Sequence, residues 1–381
     1  MNRIIWRGWF TLLCILTLLL PSQLWAAEAQ VSVGAQGAAL IDVTSGRILY
    51  SKQGDKPLRI ASLTKVMTAI VAIEHGKLSD EVKVNTRAAG KEGSSLYLRA
   101  GDTMSLTNLL YGLMLRSGND GATAIAEHVG GSVEGFVYLM NEKAKLLGME
   151  HTTFSNPTGL DEGQGNFASA NDMAKLTAYA LKNTTFQEIV RTKVKRVPNP
   201  NETWDYVWTN KNKMLFLYEG ADGVKTGYTK LAKRCLISSA TKGNQQLAVV
   251  TLNDSDDWVD HTKLLNYGFE QYPLQIVTQQ GEQKGEEGWV AGQSFLYPLS
   301  ANEQGKIVEQ VVANSDQSLE DRLGVKGELY FSLKGQTIGS VKLYEENTNK
   351  HVSTSSQQSW SNRLLNAINK SLSSLFEVTG S

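Results

Sequence analysis

Ser62 and Lys65 stand at the head of the run Ile60-Ala61-Ser62-Leu63-Thr64-Lys65-Val66-Met67-Thr68-Ala69-Ile70-Val71-Ala72-Ile73. Beyond Lys65 the run is apolar on nearly every side, the mark of a buried helix. An unpaired ammonium in its first turn is costly, and burial drives it toward the neutral amine. Residues three apart share a helix face. A serine hydroxyl is a weak nucleophile until a base takes its proton. A lysine brought from about 10.4 toward neutrality is such a base. The helix start adds partial positive charge and free N–H groups that favour an oxyanion. Two fixed positions recur about once or twice by chance in a chain of this length. Ser239 and Lys242 also fit, at a strand end and hairpin turn.

Two further elements carry chemistry. Ser117-Gly118-Asn119 lies on a loop between the apolar run Leu109–Leu115 and a helix from Gly121. Its hydroxyl can relay a proton and its amide can bind a carbonyl. The plainer reading is a cap or turn; Ser169-Ala170-Asn171 and Ser300-Ala301-Asn302 match the same pattern. Lys225-Thr226-Gly227 occurs once, after Asp222-Gly223 and before Tyr228-Thr229. On an exposed strand it offers a charge, a hydroxyl and room for close backbone approach. Those features suit an extended peptide ending in a carboxylate, docked by strand addition; the plainer reading is a surface turn. Alone each element is weak. Together, in this order and at a helix start, a loop and a strand, they form a serine acyl-transfer signature.

The elements that must position these residues follow from periodicity. Ala38–Asp42 and Arg47–Ser51 flank Thr44-Ser45-Gly46 as a β-hairpin. Helical spacing recurs over Ser62–Glu74, Leu106–Met114, Gly121–His128, Val133–Leu147 and Asn171–Lys182, with loops at Gly90–Ser95 and Ser155–Asn166. Strand signals return near Val224. Cys235–Ala240 and Gln246–Leu252 flank the turn Thr241-Lys242-Gly243-Asn244, and Asp256–Phe269 reads as a helix. This order predicts an α+β fold, an antiparallel sheet built from both ends of the domain with a helical cluster inserted. Past Pro273, short β-like runs at Leu274–Val277, Gly288–Val290, Ile307–Val312, Glu328–Leu333 and Thr337–Leu343 predict a small all-β domain.

Acids and bases balance at 38 each, so no polyionic partner is implied, and no basic stripe points to nucleic acid. Arg3 and Arg7, the apolar run Gly8–Leu20, Pro21 and the small residues Ala26, Ala27 and Ala29 read as a cleaved secretory signal. An uncleaved anchor is the alternative. Cleavage after Ala29 removes Cys14 and leaves Cys235 alone, with no internal disulfide. Cys235 reads as a small packed hydrophobe. The histidines at 75, 128, 151, 261 and 351 show no metal-ligand spacing, and no metal or cofactor is expected. The expected domains are 1–29 signal, 30–272 catalytic, 273–346 β-rich, 347–359 linker and 360–381 amphipathic helix. The last carries Trp360, Leu364, Leu365, Ile368, Leu372, Leu375 and Phe376 on one face. It reads as a membrane-surface anchor or as a helix packed on the protein itself.

On the three motifs, and on Glu92-Gly93-Ser94-Ser95-Leu96, Asn156-Pro157-Thr158-Gly159-Leu160 and Gly220–Thr229, the chain resembles the low-molecular-mass penicillin-binding proteins, serine-type D-Ala-D-Ala carboxypeptidases. The likeness covers about residues 35 to 272, and extends in layout to the β-domain and C-terminal segment. Lys230-Leu231-Ala232-Lys233-Arg234-Cys235 and Asp256-Asp257-Trp258 resemble the sporulation branch of bacilli. The resemblance implies a penicillin-binding/β-lactamase-like fold. It implies removal of the terminal D-Ala from peptidoglycan stem peptides, limiting cross-links, with spore cortex as one setting. Ser62 is then acylated, Lys65 is the base, and Ser117 and Asn119 shuttle a proton and orient the acyl chain. Lys225 and Thr226 hold the carboxylate, with Gly227 beside them. The N–H groups of Ser62 and Tyr228 form the oxyanion hole. β-Lactam antibiotics are the implied covalent inhibitors. The implied location is outside the cytoplasmic membrane, peripherally attached through 360–381. Some relatives place an arginine near the start of the last catalytic-domain helix, where Asp256-Asp257-Trp258 stands here. Rival readings are a D,D-endopeptidase with the same residues, a β-lactamase, and a non-catalytic wall-binding protein. Class A β-lactamases carry an E-x-x-L-N segment between the second and third motifs, and none lies between Asn119 and Lys225. The wall-binding reading does not account for the lysine.

Overall fold

The computed structural model describes residues 31–346, apart from 200, 286 and 316–318. The expected signal, linker and amphipathic helix lie outside the described residues. The chain divides into two compact units, one reaching Val277 and including Leu296–Lys306, the other spanning Thr278–Phe295 and the chain from Ile307.

The first unit is built on a five-stranded antiparallel sheet. Its strands are β1 (Gly37–Asp42), β2 (Ile48–Lys52), β3 (Ala221–Thr229), β4 (Lys233–Lys242) and β5 (Gln245–Leu252), in the order β2-β1-β5-β4-β3. The two hairpins are those expected. Between β2 and β3 the chain forms the helices α1 (Lys65–His75), α2 (Leu106–Tyr111), α3 (Asn119–Gly130), α4 (Val133–Leu146), α5 (Ala170–Ala180) and α6 (Thr184–Arg191). After β5 comes α7 (Asp257–Gln271). Helix α6 and the ribbon of Val194–Val197 with Tyr206–Thr209 lie where the sequence pattern marks nothing.

Alternation along the strands divides two cores. Ala39, Ile41, Ile237, Ala248 and Val250 join the helical cluster around α1. Ala38, Leu40, Leu236, Leu247 and Val249 pack with Leu264 and Leu265 of α7. Every residue of β1 is therefore buried, and the strand reads as a continuous apolar run because both faces are covered. Among the described residues strand β3 pairs with β4 alone, leaving its other edge without a strand partner. The turn before α1 packs there: a Cβ on Gly227 would stand 3.2 Å from the Ser62 nitrogen.

The second unit holds an antiparallel sheet of β6 (Gln283–Lys284), β7 (Trp289–Ala291), β8 (Val308–Ala313), β9 (Val325–Leu333) and β10 (Gln336–Tyr344), ordered β6-β7-β10-β9-β8. Strand β9 alternates buried and half-buried residues, and Leu329, Phe331, Val341 and Leu343 form its core face.

Candidate active site

Ser62 sits in a single 3-10 turn, Ala61–Thr64, that leads into α1. Lys65, the first residue of α1, is wholly buried. Its Nζ lies 3.2 Å from Ser62 Oγ, 2.7 Å from Asn119 Oδ1 and 2.5 Å from the Thr158 carbonyl. None of these partners is an anion. Burial, followed by the charges of Lys225 and Lys211, holds the amine well below its ordinary value of 10.5; Asp120 pulls weakly the other way. An uncharged amine has two protons and one lone pair. Its two shorter contacts are to oxygens that only accept, so they take both protons. Once uncharged, the amine thus has its lone pair left for the Ser62 hydroxyl at the longer contact, which then donates.

Two loops fix this arrangement. Asn156 and Asn166 knit the segment 155–166. Asn156 Oδ1 accepts from the Thr158 and Gly159 N–H groups at 3.2 and 2.8 Å, and Asn166 Nδ2 donates to Thr64 Oγ1 at 2.9 Å. Thr68 Oγ1 donates to the Pro157 carbonyl at 2.8 Å. The Thr158 carbonyl is thereby held over α1. The segment 92–98 is pinned by Asp120, whose buried carboxylate accepts from Ser95 Oγ at 2.6 Å and from the N–H groups of Leu96 and Leu98. Asn119 Nδ2 donates to the Glu92 carbonyl at 2.5 Å. With both ends engaged, the Asn119 amide has one orientation.

Ser117 closes a π-helical turn, Gly112–Arg116, in the left-handed conformation with φ 65°. Left-handed non-glycine backbone concentrates at functional sites. Its Oγ is buried and has no hydrogen-bond partner among the described residues. Lys225, on β3, is buried, and among the described residues its Nζ bonds only to the Thr226 carbonyl, at 2.8 Å. Burial, with Lys211 nearby, brings it down to about 7. Thr226 and Gly227 are half-buried, and Tyr228 is exposed at the open end of the strand. The structure therefore brings Ser62, Lys65, Asn119, Lys225 and Gly227 to one locus, with Ser117, Thr226 and Tyr228 on the segments that border it.

The family model described as D-alanyl-D-alanine carboxypeptidase matches residues 24–256. The chain belongs to this family. The D-alanyl-D-alanine carboxypeptidase DacF of Bacillus subtilis is 33% identical over 321 residues, 82% of each chain. That of a Streptomyces species is 33% identical over 262 residues, covering 64% of this chain and 90% of its own. Among solved structures, penicillin binding protein 5 from Haemophilus influenzae matches with a TM-score of 0.68 at 26% identity, over 84% of this chain and 98% of that one. The enzyme class is that of a serine-type D-Ala-D-Ala carboxypeptidase, and the fold is the penicillin-binding one.

The carboxypeptidase site includes residues that the sequence pattern passes over. Lys211 donates to Ser94 Oγ at 2.9 Å, and burial and Arg116 lower its amine. It is bracketed by the buried Asn210 and Asn212, whose side chains bond to backbone on both sides. The signal is present as two asparagines flanking a lysine, but no period marks it. Cys235 is buried, and burial pushes its thiol up to about 12, so it is an inert packing residue.

Proposed function

We propose that this carboxypeptidase removes the terminal D-Ala of peptidoglycan stem pentapeptides through an acyl-enzyme on Ser62. The reading rests on one observation above the rest: a wholly buried Lys65 amine, held well below its ordinary value by burial and standing 3.2 Å from Ser62 Oγ. Lys65 takes the hydroxyl proton as Oγ attacks the carbonyl of the penultimate D-Ala. The N–H groups of Ser62 and Tyr228 receive the oxyanion. The C–N bond breaks, and the departing amine of D-Ala takes a proton relayed through Ser117, whose Oγ has no other bond to give up. Water, activated by the same amine, hydrolyses the ester and restores Ser62. Lys225 and Thr226 hold the terminal carboxylate, with the peptide extended along the free edge of β3. Asn119 orients Lys65 and lies beside the acyl chain. β-Lactams acylate the same oxygen. We assign residues 1–29 to export and 360–381 to peripheral attachment at the outer face of the membrane.

The test is D-Ala release from a pentapeptide by the wild type and by Ser62→Ala, with mass spectrometry after labelled penicillin. Release lost in the variant, and one adduct on the peptide carrying Ser62, are expected. Equal release, or no adduct, overturns the reading.

A further inference from the structure

Against the segment 155–166 the first unit has a cavity of about 440 Å³, whose walls include none of Ser62, Lys65, Ser117, Asn119 or Lys225. That volume lies within the range of about 300–1,000 Å³ that small-molecule sites occupy. One wall is α4, through Val133, Glu134 and Val137. A second is the turn that carries Arg87 and Lys91. The third is Ser155–Thr158 with Glu162.

Two ion pairs link these walls. Arg87 Nη2 stands 2.9 Å from Glu134 Oε1, and Lys91 Nζ stands 3.5 Å from Glu162 Oε2. The Arg87, Glu134 and Glu162 side chains are more than half exposed. Pairs so exposed contribute little to stability, so they open readily to a ligand. Their signs set what that ligand is. A single charge satisfies one partner of an opened pair and strands the other. A group with an ammonium beside a carboxylate satisfies both, and the fork of Arg87 fits a carboxylate plane. Val133, Val137 and Pro157 supply apolar surface for a short aliphatic stem.

The cavity shares a wall with the catalytic site. Pro157 and Thr158 line it, and their carbonyls accept from Thr68 Oγ1 at 2.8 Å and from Lys65 Nζ at 2.5 Å. Lys91 precedes Glu92, whose carbonyl accepts from Asn119 Nδ2. The Lys91–Glu162 pair thus ties together the two segments that fix the Lys65 amine. A ligand that takes both ends of the pair unties them.

We propose that this cavity is a second binding site, for an amino-acid zwitterion on an aliphatic stem, and that its occupation slows acylation of Ser62. The coupling to Ser62 rests on the carboxypeptidase reading. Free diamino acids offer such a group, and so does a stem peptide that ends in one.

The probe is meso-diaminopimelate. Pimelate and cadaverine are its controls, the same chain without its amines or without its carboxylates. The full chain is first acylated with penicillin, which blocks the catalytic cleft, and then titrated by calorimetry. Diaminopimelate is expected to bind, and both controls to bind at least about 10-fold more weakly. Arg87→Gln weakens the probe about 10-fold, and Val137→Phe, which fills the cavity with its charges intact, does the same. On the unmodified chain, saturating probe slows labelled-penicillin acylation about fivefold or more. Arg87→Gln acylates at the wild-type rate without probe and responds less to the same concentration. Thermal melting establishes that both variants are folded. A stem tripeptide ending in diaminopimelate separates the two sources: tighter binding than the free amino acid assigns the site to the wall, and binding no tighter assigns it to the free amino acid. No binding of the probe, equal binding of either control, or binding that leaves acylation unchanged overturns the inference. Penicillin that fails to acylate Ser62 defeats the carboxypeptidase reading, and the coupling with it, a failure distinct from these.

Discussion

At the scale of single residues, Lys65 and Lys225 are buried amines without a carboxylate to pair with among the described residues. Such groups exist in a fold because the site uses them, and they weaken it. Lys225 permits the effect to be read. In the unfolded chain it titrates near 10.5, and in the fold near 7. Below pH 7 both states hold the proton, so the penalty of burying the charge is full. Between 7 and 10.5 the folded state has released its proton while the unfolded state has not, so the penalty declines as pH rises. The decline is at most about 1.4 kcal/mol per pH unit. Lys225→Met, which keeps the length and removes the charge, is therefore expected to stabilise the protein. Its advantage is larger at pH 6 than at pH 9, by up to about 3 kcal/mol. Urea unfolding at the two pH values measures it. An advantage independent of pH refutes the assignment of Lys225 as a depressed amine.

At the scale of elements, catalysis depends on how the segment 155–166 meets the start of α1. Gly159 has φ +82°, and a Cβ there would lie 1.9 Å from the Ala61 carbonyl oxygen and 2.9 Å from the Ser62 nitrogen. Both atoms are backbone, so the loop must move, and with it the Thr158 carbonyl that receives a Lys65 proton. Gly159→Ala is expected to cost about 2–4 kcal/mol of stability and at least about 100-fold in penicillin acylation rate. Gly131 supplies the control. Its φ is +71°, yet nothing stands within 4 Å of its Cβ position, so Gly131→Ala carries only the left-handed penalty of about 1–2 kcal/mol and leaves acylation unchanged. Equal acylation losses in the two variants would mean that backbone strain, not contact with Ser62, sets the requirement. The same contact explains what could be read without coordinates. Ser62, Lys65 and Lys225 are legible because each breaks a local pattern: a cation in an apolar helix, a Lys-Thr-Gly on a strand. Helices α1 to α5 and the two hairpins are legible because period and turn residues agree. Asp120, Asn156, Asn166 and Lys211 are not, because their partners are backbone groups or hydroxyls scattered from residue 64 to residue 159. Helix α6 is short and merges with the polar stretch after Lys182, so its period is not distinguished from a loop.

At the scale of the whole molecule, the first unit is completed by residues that follow its last helix. Arg47, at the entry to β2, donates to the Pro298 carbonyl at 2.6 Å and pairs with Glu303 at 2.6 Å. Its guanidinium lies over the rings of Tyr272 and Tyr297, at 5.3 and 5.2 Å. Glu303 is 3% exposed. A division of the chain drawn at residue 272 would strip Pro298, Tyr297 and Glu303 from Arg47, although all of them belong to the unit that holds Ser62. Removing one partner of a buried pair is harsher than removing both, because the survivor stays desolvated without its counter-charge. Arg47→Ala is accordingly expected to cost about 3–5 kcal/mol. The double change with Glu303→Gln recovers part of that loss, since the amide needs no cation. Acylation of Ser62 stays at the wild-type rate in both folded variants, because the partners of Arg47, Pro298, Glu303, Tyr272 and Tyr297, are not those that hold Lys65. Urea unfolding and labelled penicillin together decide the matter. A double variant no more stable than Arg47→Ala would show that the arginine contributes through its two rings and the Pro298 carbonyl, with the Glu303 pair adding nothing.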